Sequence, residues 1–102
     1  MIKCVFKVKN GRFLGFQISG HEEDFEGEYG MNCSAVSSAT MLTCNAITDF
    51  LDAKARVTVA DNRVTLILLK GNRAAQRMIC AFYTHLEMLA QDTDQLIVKV
   101  IE

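Results

Sequence analysis

The chain has 102 residues and a mass of 11.4 kDa, a length typical of a single domain spanning residues 1–102. Half of its residues are hydrophobic and 23% are charged, with 11 basic against 12 acidic residues, a balance that excludes intrinsic disorder. The formal net charge of -1 leaves no excess of positive charge to neutralise phosphates, so the sequence predicts no direct binding of nucleic acid.

The chain opens with a predicted β-hairpin. Residues 3–9 alternate between apolar residues and residues that are mostly lysine, the pattern of a half-buried strand. Asn10-Gly11 follows, and this pair is the strongest two-residue hairpin signal because both residues tolerate positive φ. Residues 13–19 are therefore predicted to form the returning strand.

Three more strands and two helices complete the prediction. Strands at residues 55–60 and 63–69 are joined by a hairpin around Asp61-Asn62, and residues 96–101 form a fifth strand. The first helix is predicted at residues 33–51. The apolar stripe of that helix is predicted to contain Val36, Ala39, Leu42, Thr43, Ala46, Ile47 and Phe50.

The second helix is predicted to begin after an Asn72 N-cap. Its predicted apolar face consists of Ala75, Ile79, Phe82, Leu86 and Leu89. Because each helix has one apolar side, the ββαββαβ order predicts an α+β fold, a two-layer sandwich with both helices packed on one sheet.

The four cysteines are scattered, at Cys4, Cys33, Cys44 and Cys80. No Cys-x-x-Cys pair occurs, which disfavours a structural zinc site, and no metal or other cofactor is predicted. The first residues carry lysines instead of the apolar core of a signal peptide, and no apolar run approaches the length of a membrane span. We therefore expect a cytoplasmic protein with reduced thiols and no membrane partner.

Residues 20–32 form an unusual segment between the second strand and the first helix. Five of the chain's 12 acidic residues lie there, beginning at Glu22, and Gly27 and Gly30 add backbone freedom. A loop of this length in a small domain is typically functional, so we predict a mobile loop.

Cys33 is the cysteine whose position favours chemistry. It is expected at the first helical position after an Asn32 cap, where the free N–H groups and the helix dipole favour a thiolate. His21, beside Gly20 at the end of the second strand, is placed to act as its partner, and Ser37 lies one turn beyond Cys33 on the same face. The alternative is that Cys33 is a packing residue and His21 a solvated one.

The remaining cysteines and the second histidine fit structural roles. Cys4 lies on the apolar face of the first strand, and Cys44 and Cys80 lie within helices away from their starts. All three are expected to be buried packing residues. His85 flanks the apolar face of the second helix and is expected to be a surface histidine or one with satisfied hydrogen bonds, and not a catalyst.

Two short segments resemble the ribosomal-processing cysteine protease family, called Prp. They are Ile18-Ser19-Gly20-His21 and, at the predicted helix start, Cys33-Ser34-Ala35-Val36-Ser37. The element order is similar too. The resemblance implies a bacterial cytosolic cysteine endopeptidase that removes an N-terminal extension from a large-subunit ribosomal protein. It also implies a homodimer with a mobile loop over the active site.

The same resemblance implies roles for individual residues. Cys33 would be the nucleophile and His21 the general base, with Ser37 a nearby family position. The sequence departs from the family pattern at Glu22, where alanine is usual, at Gly30, where aspartate is usual, and at Ser34, where alanine is common.

A non-enzymatic module of the same fold is the rival interpretation. Such a protein would bind a ribosomal protein or assembly factor through the acidic loop or a strand edge, and Cys33 would serve packing alone.

Overall fold

The computed structural model describes residues 1–20, 29–60 and 62–102, and the side chains of the first helix from Ser34 onward. These residues form the predicted ββαββαβ order. The strands are β1 (Ile2–Lys9), β2 (Arg12–Gly20), β3 (Ala55–Ala60), β4 (Arg63–Leu68) and β5 (Leu96–Ile101), and the helices are α1 (Tyr29–Asn45) and α2 (Arg73–Ala90). A π-helical turn, Ala46–Phe50, continues α1.

The five strands form one sheet in the order β3-β4-β2-β1-β5. Strand β5 runs parallel to β1, and the other neighbours are antiparallel. Asn10 and Gly11 have φ values of 53° and 76°, so the predicted tight hairpin is confirmed. An irregularity between Lys7 and Val8 shifts the register of this hairpin.

Both helices pack on the same face of the sheet, which confirms the two-layer α+β fold. The core between the layers centres on Phe6, whose ring lies 5.7 Å from those of Phe16 and Phe82 and 5.2 Å from that of Tyr83. These tilted and edge-to-face contacts join β1 and β2 to α2.

Helix α2 agrees closely with its sequence pattern. The Asn72 side chain accepts a hydrogen bond from the backbone N–H of Ala75 at 2.8 Å, as expected of an N-cap. The predicted apolar face is buried at Ala75, Ile79, Phe82 and Leu86, with Leu89 packed at its margin.

The predicted face of the first helix is only partly correct. Thr43 and Ile47 are buried as predicted, but Leu42 is 64% exposed and Phe50 is 81% exposed. The α-helix ends at Asn45, and the following π-helical turn closes a hydrogen bond between residues five apart. Because that turn departs from the 3.6-residue period, the projected stripe no longer describes Phe50.

Two threonines, Thr40 and Thr43, lie on the buried face of α1. The hydroxyl of Thr40 donates to the carbonyl oxygen of Val36 at 2.7 Å, and that of Thr43 donates to Ala39 at 2.7 Å. These bonds satisfy the hydroxyls within the helix, so both threonines can lie against the sheet at little polar cost.

Candidate active site

The candidate site lies where β2 ends and α1 begins. Gly20, the last residue of β2, has a φ of 86°, and a Cβ at this position would collide with the Met1 carbonyl oxygen. Its N–H donates to the carbonyl oxygen of Asn62 at 2.9 Å. Glycine is required here because the φ is positive and the Met1 carbonyl oxygen leaves no room for a Cβ. His21 is the next residue and lies outside the described residues.

Helix α1 begins earlier than predicted. It starts at Tyr29, so Asn32 is not its N-cap and Cys33 is its fifth residue instead of its first. Gly30, which the sequence assigned to the mobile loop, is also part of this helix, whereas Glu22 and Gly27 lie outside the described residues. The helix can extend through Gly30 because each added residue forms one more backbone hydrogen bond, and this offsets the cost of about 1 kcal/mol for a glycine within a helix.

The earlier start changes the electrostatics expected around Cys33. Only the first four N–H groups of an α-helix lack an intrahelical acceptor, so the N–H of Cys33 itself is engaged within α1. The dipole effect is strongest within the first turn. Activation of a thiol at position 33 therefore depends more on a charged partner than the sequence suggested.

A cavity of about 280 Å³ lies between the end of β2, α1 and the β3–β4 hairpin. Gly20 and Ser37 both line it. Since Gly20 immediately precedes His21, and Ser37 lies one turn after Cys33, the backbones that lead to both predicted residues converge on this cavity. Ser34 is exposed on α1 and does not line it.

The cavity walls are largely apolar. Ile2, Ile18 and Val36 come from the core side, and Val59 and Asn62 come from the β3–β4 hairpin. Sequence reasoning missed the hairpin's contribution. The one clue in the sequence to this contribution was Val59, a large apolar residue beside a predicted turn. In the folded chain its side chain is 68% exposed.

The cysteines outside the site differ from one another. Burial raises the pKa of the Cys4 thiol to about 12 and that of the Cys44 thiol to about 11, so both are un-ionised at neutral pH. Cys80 is exposed on α2, so the expectation that it is buried is wrong, because the outer side of α2 faces away from the sheet. His85 is exposed, as expected.

Among the side chains of residues 1–20, 34–60 and 62–102, no three from His, Cys, Asp or Glu are grouped so that they could hold a metal ion. No helix in those ranges is both long and apolar enough to cross a bilayer.

Comparison with protein families gives one match. The family model described as Cysteine protease Prp matches residues 1–98, which is nearly the entire chain. No curated protein sequence matches the chain significantly.

Solved structures provide matches over almost the full length. The S. aureus ribosomal processing protease Prp with a covalently linked product peptide aligns with a TM-score of 0.90 at 16% identity, covering 99% of this chain and 100% of that chain. The same protease with a substrate peptide gives 0.88 at 16% identity, with coverage of 99% and 100%. SMU.848 from Streptococcus mutans gives 0.84 at 22% identity, covering 99% and 94%. At these identities the likeness establishes the fold.

Proposed function

Because the chain belongs to the cysteine protease Prp family, whose model covers residues 1–98, we propose that it removes the N-terminal extension of a large-subunit ribosomal protein. The similar S. aureus protein is described as a ribosomal processing protease and holds a substrate or product peptide. This chain would act in the bacterial cytoplasm, where ribosomal proteins are made, and without a cofactor.

The observation that carries the proposal is the convergence of Gly20 and Ser37 on one cavity. It supports a catalytic pair in which Cys33 is the nucleophile and His21 the general base. A histidine beside the thiol would lower the pKa of Cys33 and raise the thiolate fraction, which is only about 3% at pH 7 for an unperturbed thiol.

The reaction follows the chemistry of an acyl-enzyme. His21 accepts the thiol proton of Cys33, and the sulfur attacks the scissile carbonyl carbon to form a tetrahedral intermediate. As the C–N bond breaks, His21 returns that proton to the leaving amine, and a thioester remains on Cys33. His21 then takes a proton from water, whose oxygen attacks the thioester carbonyl carbon. The C–S bond breaks, the departing sulfur of Cys33 takes the proton from His21, and the new carboxylic acid loses its proton to solvent.

Stabilisation of the oxyanion would come from the start of α1. The unpaired N–H groups of its first turn lie upstream of Cys33. The side-chain amide of Asn32, the residue before Cys33 in the sequence, would be a further donor. Asn32 or an acidic loop residue would also fill the role of the family aspartate that Gly30 replaces here.

The cavity fits part of a peptide substrate. Its apolar walls, including Ile18, Val36 and Val59, suit an apolar side chain. Strand β3 is an edge of the sheet and borders the cavity through Val59 and Ala60. An extended peptide could therefore pair with this edge while one of its side chains enters the cavity.

The test is cleavage of a peptide that spans the junction between the extension and the body of the ribosomal protein. We expect Cys33→Ala and His21→Ala to lower kcat/KM by at least about 10³-fold, as the loss of a catalytic nucleophile or base does in other hydrolases. The chain supplies matched controls, since Cys80→Ala and His85→Ala make the same chemical changes at exposed positions on α2.

Each outcome has a definite meaning. Loss of cleavage in the Cys33 and His21 variants, with both controls active, supports the proposed pair. Undiminished cleavage by Cys33→Ala contradicts it. A wild-type chain that binds the peptide without cleaving it favours the binding module.

We also propose that the chain is a homodimer, as the resemblance implied. The support is the set of large apolar side chains that the fold leaves exposed on the helical layer, among them Leu42 and Met88.

A further inference from the structure

The five strands carry a strongly asymmetric set of charges. They contain seven basic residues and no acidic residue, so all 12 acidic residues lie elsewhere in the chain. All seven basic residues are exposed. They are Lys3, Lys7, Lys9, Arg12, Arg56, Arg63 and Lys99. The net charge of -1 therefore conceals a basic sheet and an acidic remainder.

The strand register places these cations on one face. Lys3 lies opposite Ser19, which in turn lies opposite Arg63 on β4. Lys99 of β5 lies opposite Val5 of β1. Side chains at paired positions point to the same side of a sheet, and alternate residues along a strand share a face.

The basic side is the side that the helices leave uncovered. Cys4 and Phe6 alternate with the lysines of β1, and both are fully buried beneath α1 and α2. Lys3 and Lys7 therefore project from the opposite side, which we call the outer sheet face. No described helix lies on this face.

Neutral side chains of two kinds separate the cations. Apolar ones, among them Val5, Ile67 and Ile101, lie between Lys7, Lys99 and Arg56, and the others carry hydrogen-bonding groups. Gln17 of β2, Thr65 of β4 and Thr58 of β3 follow one another across the outer sheet face through the strand pairings, and Ser19 lies one position further along β2. The aromatic residues of the strands, by contrast, lie on the core side. Phe6 and Phe16 belong to the core cluster, and the half-buried Phe13 packs against it.

We propose that the outer sheet face binds the backbone of double-helical RNA. The cations match phosphates, and the hydroxyl and amide groups match the 2′-hydroxyls that an RNA duplex displays in its shallow minor groove and that DNA lacks. The absence of an outward aromatic ring among the strands removes the usual means of stacking single-stranded bases. The expectation of no nucleic-acid binding rested on the net charge of the whole chain. Net charge does not describe this surface, because the fold gathers seven basic residues on one face.

A second copy of the chain fits this face poorly. A face-to-face pair would bring two sets of basic residues together with no strand carboxylate to offset them. Like charges opposite one another disfavour such a contact. A polyanion instead gains from every cation on the outer sheet face.

The test is fluorescence anisotropy with a labelled 20-base-pair RNA duplex and the DNA duplex of the same sequence. We expect micromolar affinity for RNA near 0.1 M salt, weakening on the order of 10²- to 10³-fold between 50 and 200 mM salt if about five phosphates are contacted. DNA is expected to bind more weakly because it lacks the 2′-hydroxyls.

Charge variants locate the binding surface. Lys7→Glu with Lys99→Glu should weaken RNA binding at least about tenfold and flatten the salt dependence, whereas Lys7→Arg with Lys99→Arg should preserve both. Arg73→Glu with Arg77→Glu on α2 changes the net charge equally and should cost less than about threefold. Far-ultraviolet circular dichroism and thermal unfolding serve as the folding control. Peptide cleavage should also be unchanged, because neither lysine lines the candidate site.

The outcomes separate the proposal from other occupants. Stronger RNA binding that the lysine pair alone abolishes supports it. Three results would overturn it. DNA could bind as tightly as RNA, or polyglutamate, a polyanion without ribose, could bind as tightly. The lysine variant could also lose self-association while its RNA binding is unchanged. Cleavage and RNA binding are measured in separate assays, so a negative result in one assay does not decide the other proposal.

Discussion

Burial divides the thiols of this chain into two chemical groups. Cys4 and Cys44 lie in the core, and their raised pKa values keep them as thiols throughout the physiological range. Cys80 is exposed, but it lies within α2 with no predicted partner. The thiol predicted to ionise near neutral pH is that of Cys33, provided that His21 lies beside it.

Alkylation measured against pH tests this division at the residue scale. In a Cys80→Ser background, which removes the exposed competitor, we expect iodoacetamide to modify Cys33 well below pH 8 and to leave native Cys4 and Cys44 unmodified. The reason is that only a thiolate reacts, and burial holds two of the remaining thiols protonated. Peptide mapping by mass spectrometry gives the modified position.

The same background with His21→Ala is the control. We expect the alkylation profile of Cys33 to move to higher pH, since the thiolate loses its cationic partner. An unchanged profile would mean that His21 does not act on this thiol, and an unreactive Cys33 in both variants would favour the packing interpretation.

At the scale of single elements, agreement with the sequence depends on how local the signal is. The Asn10-Gly11 turn needs only the φ preferences of two residues, and the α2 cap needs only one side chain and a nearby N–H group. Both were predicted correctly. The start of α1 was not, because a glycine and an acidic run indicate a loop while helix propagation from Cys33 backwards favours a longer helix.

The exposed residues of α1 show a second limit of pattern reasoning. Leu42 fits an apolar stripe by spacing, yet the helix turns Thr40 and Cys44 toward the sheet instead. Threonine can be buried here because its hydroxyl bonds to the preceding turn, an option that a count of apolar residues does not include.

Removal of the α2 cap gives a prediction at this scale. Asn72→Ala deletes the acceptor for the Ala75 N–H, so we expect the free energy of unfolding to fall by about 1 kcal/mol, while Asn72→Asp retains the bond and costs much less. Urea unfolding followed by circular dichroism measures both. Equal stability of the alanine and aspartate variants would show that this cap contributes nothing to the fold.

At the scale of the whole molecule, the sequence predicted the layers and named candidate site residues, but not the strand order that relates those residues in space. Gly20 and Ser37 line one cavity although they belong to β2 and α1, and no local sequence pattern contains the strand order that places β2 in the middle of the sheet. The β3–β4 hairpin also lines this cavity. The segregation of charge is likewise invisible in composition, since it depends on which face each lysine occupies.

The two faces of the molecule also suggest where a homodimer would form. The outer sheet face carries apolar residues such as Ile67 among seven cations. A groove of about 420 Å³ between α1 and α2 is lined by apolar residues that include Ala39, Leu42 and Met78, with His85 at its edge and no Lys or Arg among the described residues that line it. A two-fold contact across this groove would bury apolar surface without opposing like charges. The helical layer is therefore the surface through which we expect two copies to associate.

Sedimentation velocity over a range of protein concentrations tests this arrangement. We expect the unmodified chain to form a dimer and Leu42→Asp to weaken self-association at least about tenfold. The substitution loses the gain of about 1.5–3 kcal/mol from burying a leucine side chain and adds the cost of burying a carboxylate. Leu69→Asp is the matched control, since Leu69 is 56% exposed but follows β4 outside the helical layer. A chain that stays monomeric, or a dimer weakened equally by both substitutions, would contradict association through the α1–α2 groove.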